Sequence, residues 1–291
     1  MRVDAKELAV GALAGAALTA LSVKYLVPVY QTRRLRSREP RGKVFLVGAG
    51  PGDPELLTVK ARRLLGAAAV AVMDDLVSDE LYGLLPFDCE VVYVGKRGGK
   101  KDSAKQKDID ALLVAKCQQG KLVVRVKGGD PMVFGRVHSE IQALCAAGCK
   151  FEVVPGISSA LAAPAVVNIP VTHKELSTSF LVISGHKPGD MDFATLAKVD
   201  TVVILMATRT LSAICEGFVA NGRASETPVA LIHSGTNPDQ VTVIGTLADM
   251  TERTAGRSYS PAIIVVGQVA KYGNLDAYLE ELNEDDQNTD V

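Results

Sequence analysis

From Lys43 onward the chain alternates short runs of Val, Leu and Ile with longer stretches in which apolar residues recur at helical spacing. The first runs are Val44 to Val47, Ala69 to Met73, Glu90 to Val94, Leu122 to Val126 and Phe151 to Val154. A second set follows: Ser179 to Ser184, Thr201 to Met206, Pro228 to His233, Val241 to Ile244 and Pro261 to Gly267. Near-continuous apolar runs predict strands buried on both faces, and the helical stretches between them predict mainly parallel sheets. The expected fold is α/β in two lobes of about five strands each. These lobes cover residues 43–162 and 163–273, with the joint near Ala162 to Asn168.

Ahead of this body the pattern is different. Leu8 to Val23 is an unbroken apolar and small-residue stretch, resumed after Lys24 by Tyr25, Leu26, Val27, Pro28, Val29 and Tyr30. That length suffices for a bilayer core of about 30 Å. Arg33, Arg34, Arg36, Arg38, Arg41 and Lys43 follow it at once, a flank that holds a spanning helix with its positive side toward the body. The expectation is therefore an uncleaved transmembrane helix and basic linker over residues 1–42. It places the protein on a membrane, with a plastid or mitochondrial membrane among the candidates and the body on the positively charged side.

Charge changes the picture at both ends. The 291 residues carry 32 basic and 33 acidic side chains, a net of −1. Residues 1–43 hold nine basic against three acidic groups, and residues 274–291 hold none against seven. A neutral body thus lies between a basic leader and an acidic tail, and a nucleic-acid partner is not expected. The five cysteines, at 89, 117, 145, 149 and 215, are odd in number and scattered. They suggest neither a disulfide scaffold nor a metal site, and they fit a reducing compartment.

Three strand ends carry unusual loops, and ligands of open α/β sheets gather at such ends. After Val47 comes Gly48-Ala49-Gly50-Pro51-Gly52-Asp53-Pro54, after Val126 comes Lys127-Gly128-Gly129-Asp130-Pro131, and after Val154 comes Pro155-Gly156-Ile157-Ser158-Ser159. The first begins like a dinucleotide fingerprint, but Pro51 interrupts it and Asp53 stands where a third glycine would be, so a Rossmann pyrophosphate site fits poorly. Asp53 followed by Pro54 instead suits the cap of a helix over Glu55 to Leu65. Asp130 suits ribose hydroxyls or a helix cap equally well. Ser158 and Ser159 open a small-residue helix against which adenine or a methionine tail can lie.

In order along the chain stand VGAGPGDPELLTVKA from Val47, DDLVS from Asp74, GKRGG from Gly95, VKGGDPMVFGR from Val126, VPGISSALAAP from Val154, IPVTHKE from Ile169, SGH from Ser184, TPVALIHSGT from Thr227 and PAIIVVG from Pro261. This ordered set, covering about Lys43 to Val269, resembles the uroporphyrinogen III C-methyltransferases of the tetrapyrrole methylase family. The resemblance implies a two-lobed α/β fold, a homodimer and S-adenosylmethionine held in a cleft between lobes. It implies two methyl transfers to uroporphyrinogen III that give precorrin-2, toward siroheme or cobalamin.

Carried over position by position, the resemblance puts cofactor contacts on Pro51, Gly128, Gly129, Asp130, Val133, Ser158, Ser159, Met206 and Gly235. It puts the proton acceptor on Asp74 and the proton donor on Lys96. No metal is implied. Uroporphyrinogen carries eight carboxylates, and Arg97, Arg136 and Lys174 are the cations expected to hold some of them. His173 and His186 read as structural.

The chain departs from the family pattern at Val137, His138 and Ser139, which stand where Gly, Gly and Glu are usual. Lys174 likewise replaces an Arg. The departures leave the cofactor side of the pattern more intact than the tetrapyrrole side. Two other functions are carried beside the leading one: a methylase of another tetrapyrrole, and a catalytically degenerate member serving as an accessory subunit of a membrane complex.

Overall fold

Five short strands build the first sheet: β1 (Lys43–Gly48), β2 (Val70–Met73), β3 (Glu90–Tyr93), β4 (Leu122–Lys127) and β5 (Lys150–Val154). They run in the order β3-β2-β4-β1-β5, every pairing parallel. The computed structural model describes residues 42–95, 105–276 and Leu279. Each strand coincides with an apolar run expected from the sequence; β1, β2 and β4 are buried apart from Lys43, as such runs require, whereas the edge strand β3 departs from that expectation and leaves Val91 and Tyr93 exposed.

Three helices serve this sheet. The first, α1 (Val59–Leu65), starts where the Thr58 hydroxyl accepts the Ala61 N–H at 3.1 Å. The helix expected from Glu55 is thus shorter. Asp53 caps only a 3₁₀ turn, Pro54–Leu56, and a second cap at Thr58 begins the α-helix proper. The other two, α2 (Gln106–Gln118) and α3 (Val137–Ala146), supply Ile109, Leu113, Val137 and Leu144 to a core shared with Val44, Leu46, Val70, Val72 and Val123. Each large apolar side chain so buried contributes roughly 1.5–3 kcal/mol.

The second sheet contains β6 (Phe180–Ser184), β7 (Thr201–Leu205), β8 (Pro228–His233), β9 (Val241–Thr246) and β10 (Ala262–Val266) in the order β6-β7-β10-β8-β9. Here the expectation of a mainly parallel sheet holds for β6 and β7, while β10 pairs antiparallel with β7 and β8, and β8 antiparallel with β9. The cause is connectivity. Helices α5 (Phe193–Leu196) and α6 (Leu211–Ala220) return the chain so that β6, β7 and β8 share a direction. The short turn between His233 and Val241 can only reverse it.

Alternation places Val202, Ile204, Leu231, Ile264 and Val266 on one face with Ile214 and Phe218 of α6. Val203, Ala230, Ile232, Ile263 and Val265 face Ala160 and Ala163 of α4 (Ser159–Ala165). A one-turn helix, α7 (Met250–Arg253), precedes β10.

Two compact units result, and the chain passes between them several times. Among the described residues, one contains 42–48, 58–127 and 136–155; the other contains 49–57, 128–135 and those from 156 on. The loops that leave β1, β4 and β5 therefore belong to the unit of the second sheet.

The membrane-anchored localisation expected from the leader is corrected. Among the described residues no helix is long and apolar enough to cross a membrane, and segment 8–30 lies outside them. The longest described α-helix, α2, has 13 residues, about 20 Å at 1.5 Å per residue and short of the bilayer core.

Candidate active site

Loop 49–57 is tied to loop 128–135 by a two-bond backbone bridge. Gly129 N–H donates to the Gly50 carbonyl at 2.7 Å and Gly50 N–H to the Gly129 carbonyl at 3.2 Å. Both glycines sit at positive φ, 74° and 67°, where a side chain would be strained. Asp130 then joins the second loop to the third. Its Oδ1 accepts the Met132 N–H at 2.8 Å and its Oδ2 the Gly156 N–H at 3.0 Å. Two acceptor positions of about four are thereby occupied, leaving lone pairs for hydroxyl or ammonium donors.

Ser158 caps α4, accepting the Ala160 N–H at 3.2 Å, and Ser159 is the first helical residue. The turn after β8 closes on the same loops. Thr236 Oγ1 accepts the Asp53 N–H at 3.2 Å, and the Asn237 side chain occupies the space that a Cβ on Gly52 would need. Gly235 lies so near α4 that a Cβ there would come within 2.7 Å of the Ala163 Cβ. Thr236 and Asn237 were not singled out by the sequence reading, although Asn237-Pro238 is a turn signal.

Strain is concentrated at these turns. Phe134, Met206, Ser234 and Thr236, none of them glycine, have φ of 51°, 58°, 47° and 76°. Arg136, the residue before α3, has φ 52°. Such residues cost on the order of 1–3 kcal/mol each and gather where a site over-determines the backbone. Met206 follows β7 directly with half of its surface exposed.

All nine residues expected at the cofactor (Pro51, Gly128, Gly129, Asp130, Val133, Ser158, Ser159, Met206 and Gly235) fall in the unit of the second sheet, as does Lys174. Asp74 and Arg136 fall in the other unit. Lys96 and Arg97 lie outside the described residues. Lys174 is exposed in the small loop closed by the His173–Ser177 bridge. His173 has a structural part there: its Nδ1 accepts the Glu175 and Leu176 N–H groups at 3.2 and 3.3 Å.

Asp74 stands immediately after β2. Its Oδ1 accepts the Asp75 N–H at 3.0 Å and its Oδ2 the Arg125 guanidinium at 3.2 Å, with 31% of the side chain exposed. Arg125 and Lys127 are alternate residues of β4 and so share a face. Both reach Glu140 of α3, at 3.1 and 2.9 Å. The three are buried. Burial, and then the neighbouring Arg125 charge, pull the Lys127 ammonium below the usual lysine range, while Glu140 opposes the shift.

Two of the three altered positions in α3 have plain structural reasons. Val137 is buried in the α2/α3 core. Ser139 turns its hydroxyl to the Asp110 carboxylate of α2, which also accepts Gln106 Nε2 at 3.0 Å. His138 is exposed.

Residues 43–251 match the family of Tetrapyrrole (Corrin/Porphyrin) Methylases. The chain is 48% identical over 235 residues to a uroporphyrinogen-III C-methyltransferase of Methanocaldococcus jannaschii, covering 78% of this chain and 96% of that one. It is 43% identical over 230 residues to the enzyme of the same name from Synechococcus elongatus, with 79% and 94% covered. A solved structure of the Thermus thermophilus uroporphyrin-III C-methyl transferase complexed with S-adenyl homocysteine is similar at a TM-score of 0.69 and 38% identity, over 79% of this chain and 99% of that one. The chain belongs to the tetrapyrrole methylase family.

Proposed function

We propose that this chain is an S-adenosylmethionine-dependent methyltransferase that methylates uroporphyrinogen III at carbon to give precorrin-2, on the way to siroheme or cobalamin. The observation that carries the reading is the match to two relatives of that name over 94% and 96% of their own lengths. The bridged glycine loops fit the cofactor. They offer close backbone approach at Gly128 and Gly129, free acceptor positions on Asp130, and the small-residue start of α4 at Ser158 and Ser159.

When bound, S-adenosylmethionine supplies an electrophilic methyl group on a sulfonium. The loop residues named above would hold it, through backbone groups at Gly128 and Gly129 and the Asp130 carboxylate. Each methyl transfer to a ring carbon releases one proton, and Asp74, partly exposed and hydrogen-bonded only on its protein side, takes that role of acceptor. Lys96 is assigned the complementary donor. Arg97, Arg136 and Lys174 are assigned to the substrate carboxylates, Lys174 as a point charge without a bidentate fork. A homodimer is the assembly read for this family, and sedimentation of the full chain measures it.

The accessory-subunit reading drew on the leader and on the unusual residues 137–139. Val137 and Ser139 have packing and hydrogen-bonding parts in α3, so that ground for it falls away. The test is direct. The full chain is incubated without oxygen with uroporphyrinogen III and methyl-labelled S-adenosylmethionine, and two labelled methyl groups per tetrapyrrole are expected. A folded chain that binds S-adenosylhomocysteine yet transfers no label would overturn the reading.

A further inference from the structure

β4 places two cations in the middle of an otherwise apolar layer. Its sequence, Leu122-Val123-Val124-Arg125-Val126-Lys127, is buried at every position, and β4 is the central strand of the first sheet. An unpaired charge there would cost several kcal/mol. Glu140, fully buried in the first turn of α3, answers both through a single oxygen, Oε1. Its other oxygen, Oε2, is buried with no hydrogen-bond partner. Packing alone would favour an apolar side chain at each of these positions.

The Arg125 guanidinium is held on three sides before it reaches Asp74. Nε donates to Glu140 at 3.1 Å, and one terminal nitrogen donates to the carbonyls of Val126 and Val72 at 3.0 and 3.3 Å. The remaining terminal nitrogen is directed at Asp74 Oδ2, at 3.2 Å. A planar fork anchored by three bonds to strand and helix cannot swing, so it fixes the carboxylate that it touches.

The surrounding charges are Lys127 on β4, Glu140 on α3, Asp75 in the turn and Asp110 on α2. Asp75 accepts the Tyr93 hydroxyl of β3, and Asp110 is taken up by Ser139 and Gln106. Asp74, Arg125, Lys127 and Glu140 together sum to zero. A proton gained by Asp74 leaves this layer with a net positive charge.

We infer that Arg125, anchored by Glu140, is a positioning residue that orients the Asp74 carboxylate to accept the proton released in methyl transfer. The inference rests on the reading of Asp74 as proton acceptor.

A double-mutant cycle in the full chain separates the two. Turnover is measured with uroporphyrinogen III and labelled S-adenosylmethionine for wild type, Asp74→Asn, Arg125→Met and the double variant. Thermal unfolding and S-adenosylhomocysteine affinity serve as controls. Arg125→Met is expected to lower kcat by about 10²-fold, the usual scale for an impaired acid–base step, and to leave S-adenosylhomocysteine affinity within about twofold. In the Asp74→Asn background the same change is expected to cost less than about threefold, because the group it serves is gone.

Equal losses in both backgrounds would overturn the inference while leaving Asp74 in its role. Wild-type turnover by Asp74→Asn would overturn the reading of Asp74 itself and the inference with it. Should Arg125→Met fail to fold, Arg125→Lys, which keeps the charge beside Glu140 but not the planar fork aimed at Asp74, completes the same cycle.

Discussion

The hydroxyl of Ser139 on α3 donates to the buried carboxylate of Asp110 on α2. The family's usual residue at 139 carries a carboxylate, and here it would face Asp110 across the same joint. This serine and that aspartate therefore belong together, and the substitution at 139 is one half of a helix-to-helix contact.

It follows that restoring the family's residue is harmful to this chain. Ser139→Glu is expected to lower stability by about 1–3 kcal/mol, through a second carboxylate against a buried one and the loss of the Asp110 bond. Val137→Gly should cost a similar amount by removing a core side chain and placing glycine in the first turn. Urea unfolding measures both. An unchanged midpoint for Ser139→Glu would show that the joint tolerates the charge.

Asp130 has a separable part in the loops. Asparagine keeps its size, but an amide nitrogen cannot accept the N–H that Oδ2 now receives from Gly156. Asp130→Asn should therefore weaken S-adenosylhomocysteine binding by roughly tenfold or more in calorimetry, about 1.4 kcal/mol. The loss of stability on unfolding should be about 1 kcal/mol. Unaltered affinity would remove Asp130 from the cofactor site.

Met206 keeps a left-handed backbone that glycine adopts without strain. Met206→Gly is expected to change stability little, because relief of about 1–2 kcal/mol of strain offsets the greater freedom of the unfolded chain. Turnover is expected to fall. A large loss of stability in thermal unfolding would mean that the half-exposed side chain holds the turn rather than a ligand.

Burial pushes the Cys215 thiol up from 9.0 to about 11. Below pH 9 the thiol is protonated in both states and adds no pH dependence. Between pH 9 and about 11 the unfolded chain gives up a proton that the folded chain keeps, so stability falls as pH rises and levels off above that window. The contribution is at most about 2–3 kcal/mol. Comparing unfolding of Cys215→Ala with wild type across this range isolates it; identical slopes would reject the assignment.

Much of this was legible along the chain. All ten strands lie where apolar runs stand, since continuous runs of Val and Ile have few other ways to be covered. The glycine loops were legible too, because positive φ at Gly50 and Gly129 leaves its mark in residue type. Arg125 was not. Within a β-branched strand it reads as one polar interruption, and its partners lie 15 residues ahead on a helix and 51 residues back at a strand end. Nothing local links them.

Likewise, the capping reading of Asp53 was visible in sequence, but the restart at Thr58 was set by how the turn was followed. The direction of β10 depended on its insertion between β7 and β8, a matter of long-range pairing that hydrophobic period does not encode. The sequence by itself determined the strands, the loops at their ends and the family, because burial and backbone strain are paid residue by residue. Only the tertiary structure decided that Ser139 answers Asp110 and that Arg125 holds Asp74, because a charge or hydroxyl acquires its partner from distant chain brought near by packing.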